Sequence, residues 1–379
     1  MSTHIHWFRR DLRLHDNPAL HAAAQASDGH VVPLFIIDDA ILKAERTSAA
    51  RVAFMLESLG ALDRALRERG SRLVIRRGRP AKVLAELAEE CGAAGVCWNR
   101  DYTPFAQTRD EGVKKALRAL DLDVQIYKDA MIFEAGDVLT KAGKPYTVYA
   151  PYWKQWRMRL EAQRDELLAE LPPPKLQAVS RSIESLKLPS AADLGFKSDQ
   201  TLPEGGETAA QELLSGFVRL NAKHGIGGYH DGRERPALPA TSRLSAYLRF
   251  GCIAPSACAR EALAASERTG DTTKREGAET WLGELAWRDF YYQTLVHFPY
   301  VLHSAYREQY NALKWENDEK FFKAWCEGQT GYPIVDAAMR QLNAEAWMHN
   351  RARMIVSSFL VKDLLIDWRW GEQYFMQQL

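Results

Sequence analysis

The sequence predicts an α/β domain with a doubly wound parallel sheet over residues 1–130, a long linker over 131–205 and an all-α domain over 206–379. Three observations predict that order. Short apolar runs alternate with amphipathic stretches in the first third, Pro and Gly punctuate the middle, and a helical apolar period dominates the rest.

The runs "HIHWF" (4–8), "HVVPLFII" (30–37), "SRLVIRR" (71–77), "GVCWNR" (95–100) and "DVQIYK" (123–128) read as strands. Between them "RVAFMLESLGALDRALRERG" (51–70), "RPAKVLAELAEECG" (79–92) and "RDEGVKKALRAL" (109–120) carry apolar residues three and four apart, as helices do. Strict alternation implies a parallel sheet covered on both faces. Ligands of such sheets lie beyond the strands' carboxyl ends, here the loops "RRDLRLHDNPAL", "DDAIL" and "NRDYTPF". None holds a Gly-rich phosphate cradle, so a dinucleotide on such a loop is not expected. The linker, with "LAELPPPKL" and "TLPEGGET", should wrap over the surface. Beyond it "QELLSGFVRLNAKH", "SACAREALAAS", "ETWLGELAWRDFYYQTLVHF", "YPIVDAAMRQLN" and the 347–366 stretch read as helices.

At 379 residues, 46% of them hydrophobic and 26% charged, the composition is that of a globular protein with a sizeable core. A net charge of +1 excludes a uniformly basic coat, so a polyanion must meet a local patch. Five scattered cysteines without a C-x-x-C pair argue against a disulfide framework and for a reducing cytoplasm. No run approaches the roughly 18 apolar residues that cross a bilayer, and the N-terminus lacks a signal-type apolar core, so no membrane association is expected. Nothing suggests an obligate assembly, so a monomer is expected.

Three segments mix polar groups with aromatics. In "TSRLSAYLRFG" (241–251), Thr241, Ser242 and Ser245 can cap a helix, or the helix start can offer free N–H groups to a phosphate. On a helix, "WLGELAWRDFYY" (281–292) puts Trp281, Glu284, Trp287, Arg288 and Tyr291 on one broad face. That face reads either as a core with a buried ion pair or as a carboxylate and a stacking platform for a heterocycle. "WMHNRARM" (347–354) places Trp347, Asn350 and Met354 to one side with Arg353 beside them. An amide and a fixed cation suit a flat ring with alternating N–H and C=O groups, or simply tie helices together. No catalytic triad or metal-ligand cluster is visible, so no metal is expected.

These strings, with "WFRRDLRLHDNPAL" (7–20), "TGYPIVDAAMRQL" (330–342) and "SFLVKDLLIDWRWGEQYFMQQL" (358–379), are long and specific. The chain resembles the photolyase/cryptochrome family over nearly its whole length, most closely the class I cyclobutane pyrimidine dimer photolyases. The resemblance implies a non-covalent, bent FAD inside the helical domain. Tyr229, Thr241, Ser242, Arg243, Leu244 and Ser245 would hold its adenine and phosphates. Trp281, Arg288, Asn350 and Arg353 would line the flavin, with Glu284 also at the cofactor. Glu284, Trp287, Asn350 and Met354 would contact a flipped-out dimer in UV-damaged DNA. Arg233 and Arg351 would meet the backbone, with Trp287, Arg288, Tyr291 and Asn350 also on the DNA side. Reduced flavin excited by blue light would pass an electron to the dimer, and a protonated Glu284 would stabilise the negative charge there. Trp315 and Trp368 would form the distal and middle parts of a photoreduction relay.

Against the family pattern the chain stops at Leu379, short of an Asp, an Asn and two Trp that complete the pocket; it is expected to be a truncated copy, or else to bind FAD weakly. For a light-harvesting antenna, the folate subgroup's Asn-Glu pair is replaced by Phe105 and Ala106. Arg10, Phe35, Asp38, Arg51, Asp101 and Arg109 look more like a pocket for 8-hydroxy-deazaflavin or FMN, or else form a surface without chromophore. The alternative within the family is a cryptochrome-type photoreceptor that binds FAD without repair; retention of Glu284, Trp287 and Met354 favours repair.

Overall fold

The computed structural model describes residues 2–379. Five parallel strands, β1 (Thr3–Phe8), β2 (Val31–Ile37), β3 (Val74–Arg77), β4 (Ala93–Asn99) and β5 (Asp123–Tyr127), lie in the order β3-β2-β1-β4-β5. All five coincide with the predicted strands. In β1 the alternation puts Ile5 and Trp7 on one face, against Val32, Leu34, Leu84 and Leu117, and Phe8 on the other, with Leu20, Phe35 and Leu59. The faces are covered by α1 (Pro18–Ala26), α3 (Ala49–Glu68), α4 (Pro80–Cys91) and α5 (Pro104–Arg118), with the short α2 (Asp39–Leu42) after β2.

Strand order reverses between β1 and β4, which opens a crevice at their carboxyl ends. The loop entering it is more than a loop. Pro18 at the first helical position and the Asn17 side chain, which accepts from Leu20 N at 3.1 Å, start α1 inside the segment expected to be irregular. Its first half fastens the two domains. The buried Arg13 guanidinium pairs with Asp129 and donates to the Gly251 carbonyl at 3.1 Å and the Asp16 carbonyl at 2.6 Å. Leu14 and His15 N–H groups donate to Glu207 at 2.8 and 2.9 Å, and Arg260 pairs with Asp16 at 2.6 Å. Gly251 sits at φ +64° with Arg10 O only 1.9 Å from where a Cβ would stand, so only glycine permits this approach.

The middle segment departs from the expected surface linker. It holds α6 (Tyr149–Ala162) and the short α7 (Arg164–Leu167), and Tyr152, Trp156 and Leu160 of α6 are fully buried. These residues join the core cluster of the α1 and α3 face, so one apolar core runs from the sheet into the helical domain. Aromatics spaced four apart on α6 carried that signal within a Pro-rich neighbourhood.

The helical part comprises α8 (Glu207–Phe217), α9 (Tyr229–Gly232), α10 (Ser245–Phe250), α11 (Pro255–Glu267), α12 (Thr272–His297), α13 (Glu319–Glu327), α14 (Pro333–Glu345), α15 (Asn350–Ser358) and α16 (Trp368–Gln378). Long α12 is its axis, started by Asp271, whose side chain accepts from Thr273 N at 2.9 Å. A second core of Trp325, Met339, Leu342, Val356 and Ile366 ties α13–α16 together. Helix α8 ends at Phe217, earlier than the apolar period of 211–224 implies, because the chain turns through Arg219, Ala222 and Gly225. The predicted 347–366 helix is likewise shorter, since α15 begins only at Asn350 and closes in a π-turn over Phe359–Asp363.

Candidate functional site

The polar-aromatic segments converge from four parts of the helical domain. On α8, Phe217 packs against Tyr229 (5.8 Å between ring centroids) and against Trp281 of α12 (5.1 Å). Phe217 also lines an open groove of about 620 Å³ with Thr241, Ser242, Gly225 and Tyr247. From Tyr229 the contacts continue to Arg233, whose guanidinium lies 5.7 Å from that ring and reaches Glu284 at 2.5 Å. Arg233 also touches Glu234 at 3.4 Å, and Glu234 holds Arg351 through two bonds of 2.5 and 2.6 Å. The circuit ends at Trp347, whose ring lies 6.3 Å from His349 and carries Arg243 at 4.1 Å.

Local structure departs from the expected caps. No side chain caps α10, so Thr241, Ser242 and Ser245 leave its first N–H groups free. Arg243 adopts φ +52°, an unfavourable backbone for a residue with a side chain, and is held by Trp347 and by Glu345 at 3.2 Å. Leu244 is buried. In "WMHNRARM" the cap is His349, whose Nδ1 accepts from Arg351 N at 3.1 Å. Trp347 therefore precedes the helix rather than sharing its face with Asn350 and Met354. Those two are exposed, and Met354 Sδ lies 3.9 Å from Arg351 Nη1.

Two buried groups in this circuit lack partners. Arg353 Nε makes no hydrogen bond, and its Nη2 reaches only Met348 O at 3.4 Å. Burial alone pushes its pKa down, with no carboxylate to counter it. Because His349 Nδ1 accepts, its Nε2 carries the proton, and that buried donor is unpaired too. A buried donor left unpaired costs about 1–3 kcal/mol, so the arrangement favours an acceptor-rich occupant. A guanidinium, an imidazole N–H, the Asn350 amide and an uncapped helix start fit a dinucleotide carrying a planar heterocycle.

Other expected site residues lie differently. Trp287 stacks on Tyr149 at 3.5 Å with planes 8° apart, and Tyr149 is fixed by donating to Gly283 O at 2.7 Å. One face of the platform is thus already covered. Tyr291, 63% exposed, lies nearly parallel to Trp287 at 5.5 Å. Arg288 turns away, donating to Ala130 O and to Leu248 O (3.3 Å), with Tyr292 under its guanidinium at 4.9 Å. Trp315 and Trp368 stand on neighbouring segments joined by Glu316 N to Leu365 O and Asp367 N to Asn317 Oδ1, both 2.8 Å. Their rings do not pack together. Burial raises the Glu284 carboxyl above its ordinary range against the pull of Arg233.

At the strand-order reversal, Arg10 meets Asp101 at 3.3 Å in the crevice shared by Arg249, Arg288 and Tyr292. Burial opposes it, but Arg10 and then Arg9 hold Asp101 down at about 2. Arg51 is pushed down to about 10 by burial and by Arg10, and Arg249 to about 9 by Arg10 and burial. Arg51 also caps the end of α16, donating to Leu379 O at 2.6 Å. The remaining antenna candidates have local work. Phe35 is in the sheet core, Asp38 caps α2 through Ala40 N at 3.0 Å, and Arg109 pairs with Asp110 at 2.8 Å while lying over Trp7.

Sequence reasoning missed Glu234, His349, Tyr149 and Arg249. The first three look like an ordinary surface glutamate, a histidine before a helix and a linker aromatic. Arg249 could have been flagged, because "YLRF" sets a cation in an otherwise apolar helix.

Comparison with known proteins agrees with this architecture. The family model for DNA photolyase matches residues 4–175, and that for the FAD binding domain of DNA photolyase matches 281–379. The deoxyribodipyrimidine photo-lyase of Synechococcus sp. is 41% identical over 99% of this chain and 77% of its own length. Among solved structures, a bacterial class III photolyase from Agrobacterium tumefaciens superposes with a TM-score of 0.87 at 37% identity, covering all of this chain and 76% of that one. The Synechocystis cryptochrome does so with 0.86 at 25% identity, covering all of this chain and 79% of its own. No described helix is long and apolar enough to cross a membrane. Two family models, a relative 41% identical over 99% of this chain and a superposition over the entire chain place it in the DNA photolyase/cryptochrome family.

Proposed function

We propose that the protein repairs cyclobutane pyrimidine dimers in UV-damaged DNA under blue light, using FAD held in its helical domain. The observation that carries this reading is the run of contacts from Phe217 and Tyr229 to Arg233, which meets Glu284 and, through Glu234, Arg351, with the unpaired Arg353 Nε and His349 Nε2 beside Trp347 on the α15 segment. When bound and reduced, FAD supplies the photoexcited electron that splits the cyclobutane ring and is then returned.

The chain's own residues bind and orient. Tyr229 and the 241–245 stretch hold the adenine and phosphate portion, the latter at an uncapped helix start. Trp281, Asn350 and Arg353 face the heterocycle, and Arg353 gains the partner it otherwise lacks. Glu284 hydrogen-bonds the extruded dimer. Burial keeps this carboxyl more easily protonated than usual, which suits a donor to a negatively charged lesion. Trp287 stacks on the dimer, Met354 and Asn350 border it, and Arg233 and Arg351 neutralise phosphates. Arg288 serves as a strut between α12 and the Ala130 turn. Trp315 and Trp368 serve as relay donors. Flipping the dimer out costs a few kcal/mol, about 1–3 of which one base–aromatic stack returns.

Within the family, Asn350 and Met354 stand where the (6-4) branch carries histidines, which favours dimer repair in the class I style. At the crevice, Arg10 and Arg249 beside Asp101 suit an anionic antenna, and Phe105 and Ala106 in place of the folate subgroup's Asn-Glu pair favour 8-hydroxy-deazaflavin or FMN over folate. We place the protein in the cytosol as a monomer.

The test is repair of a thymine-dimer oligonucleotide by reduced, FAD-loaded protein in blue light and in darkness. Light-dependent restoration is expected. Equal repair in the dark, or none with FAD fully bound, would overturn the assignment. The likeness to a cryptochrome favours a photoreceptor as the second reading, and photoreduction without repair would select it.

A further inference from the structure

We propose that Glu234 is an internal phosphate mimic which, together with Glu284, makes binding of the DNA backbone conditional on capture of the lesion. The inference rests on the reading of Arg233 and Arg351 as backbone contacts. Both arginines are already engaged in the free protein. Glu234 takes Arg351 through Nε (2.6 Å) and Nη2 (2.5 Å), the same two-pronged geometry a guanidinium offers a phosphate. The carboxylate oxygen that accepts from Arg351 Nη2 also lies 3.4 Å from Arg233 Nε, and Glu284 holds the far end of Arg233 at 2.5 Å. A chain Arg351–Glu234–Arg233–Glu284 results, in which two positive and two negative charges cancel.

Nothing else in the fold uses the Glu234 carboxylate. It follows α9 on a turn fixed by its own backbone, Glu234 N to Asp231 O at 3.2 Å, and its side chain caps no helix. The outer pair is open to water, with Arg351 38% and Glu234 47% exposed, so exchanging one anion for another there needs no unfolding. The inner pair is deeper, at 22% and 31%. A passing stretch of undamaged duplex therefore meets arginines that are already satisfied and must compete with two carboxylates. A lesion that enters and takes the Glu284 carboxyl for its own hydrogen bond removes the deep partner of Arg233. Arg233 is then free to turn outward, and the shared Glu234 no longer bridges two cations. Backbone binding and lesion recognition are coupled through this exchange of partners.

The experiment measures affinity of the full-length, FAD-loaded protein in darkness for a duplex carrying one thymine dimer and for the same duplex undamaged, over a salt series. Glu234→Gln keeps shape and removes the competing charge. It is expected to bind undamaged duplex about fivefold more tightly and the lesion duplex by clearly less, so that discrimination falls. Its salt dependence on undamaged duplex should steepen by about one unit of log–log slope. Glu276→Gln makes the same charge change on α12 without touching either arginine and is expected to leave the ratio as in the wild type. Two results would overturn the coupling: an unchanged ratio in Glu234→Gln, or the same gain in Glu276→Gln. If instead Arg351→Gln and Arg233→Gln both bind every duplex as the wild type does, the backbone reading itself fails and takes this proposal with it. Dimer repair in light would still stand in that case.

Discussion

Asp289 lies in the same motif as Glu284 and Trp287 but points the other way, into the junction of α12 with the 131–133 turn and α6. Its carboxylate accepts from Trp156 Nε1 at 2.9 Å and from the Ile132 and Phe133 N–H groups, both at 3.1 Å. Burial pushes its pKa up to about 6 from 3.8, outweighing those three donors. Between these two values the folded protein binds a proton that the unfolded chain has released, so stability falls as pH rises. At about 1.36 kcal/mol per unit, the loss accumulates to roughly 3 kcal/mol over the whole interval, and about 2 between pH 4.5 and 7. Above pH 6 the term is constant. Asp289→Asn cannot titrate. Urea unfolding followed by tryptophan fluorescence at pH 4.5 and 7 should therefore show the wild type losing about 2 kcal/mol relative to the variant. Parallel profiles, or a wild type that gains over this interval, would mean that the three N–H groups outweigh burial and that the carboxylate is held ionised.

Asp101 behaves in the opposite sense. Its pKa is depressed from 3.8 to about 2, so its contribution is present above pH 3.8 and lost as pH falls through 2. Asp101→Asn should cost about 2 kcal/mol at pH 7 by urea unfolding, and equal midpoints would contradict the Arg10 pairing. Trp287→Ala should weaken binding of a thymine-dimer duplex about 5- to 150-fold while leaving undamaged duplex unaffected, read by fluorescence anisotropy. Arg353→Met should lower the flavin-to-protein absorbance ratio without lowering the urea midpoint of the flavin-free protein, because the guanidinium it removes is buried without a full set of partners. A fall in midpoint with flavin retained would refute its role toward the cofactor.

Where side-chain period decides structure, the sequence was readable. All five strands and helices α3, α4 and α5 stand where alternation or the helical period puts them, and so does α12 from Glu279 on, while its polar first two turns from Thr272 carry no apolar period. Features set by local chemistry or by distant partners were not readable. Helix α6 hides in a Pro-rich neighbourhood because its burial depends on Asp289, more than a hundred residues away. The start of α15 at Asn350 depends on an imidazole cap, an unusual choice that the apolar pattern continuing back to Trp347 conceals. Thr241, Ser242 and Ser245 look like caps by type, yet the helix starts at Ser245 with the apolar Leu244 in the cap position. The candidate site was legible as a set of motifs, since Glu284, Trp287, Asn350 and Arg353 occur in long specific strings. Its pairing was not, because an ion pair such as Glu234 with Arg351 spans 117 positions and leaves no periodic trace.

The two charged regions of the molecule are held in different ways, and the difference bears on what each is for. At the crevice between β1 and β4, the arginines outnumber the carboxylates. Arg10 and Arg249 repel one another, Arg51 is suppressed beside them, and Asp101 is the carboxylate that pairs with Arg10. The Arg13 latch and the shared core hold the walls of this desolvated place, and such an excess favours an anion that stays. Around Glu284 the charges balance pair for pair, and the outermost pair faces water. A balanced, partly exposed set costs little to rearrange, so it favours an anion that arrives, is tested and departs. On the proposed function, a resident chromophore at the first region and a transient polyanion at the second would draw on the same arginine chemistry, separated by how fully carboxylates already balance it.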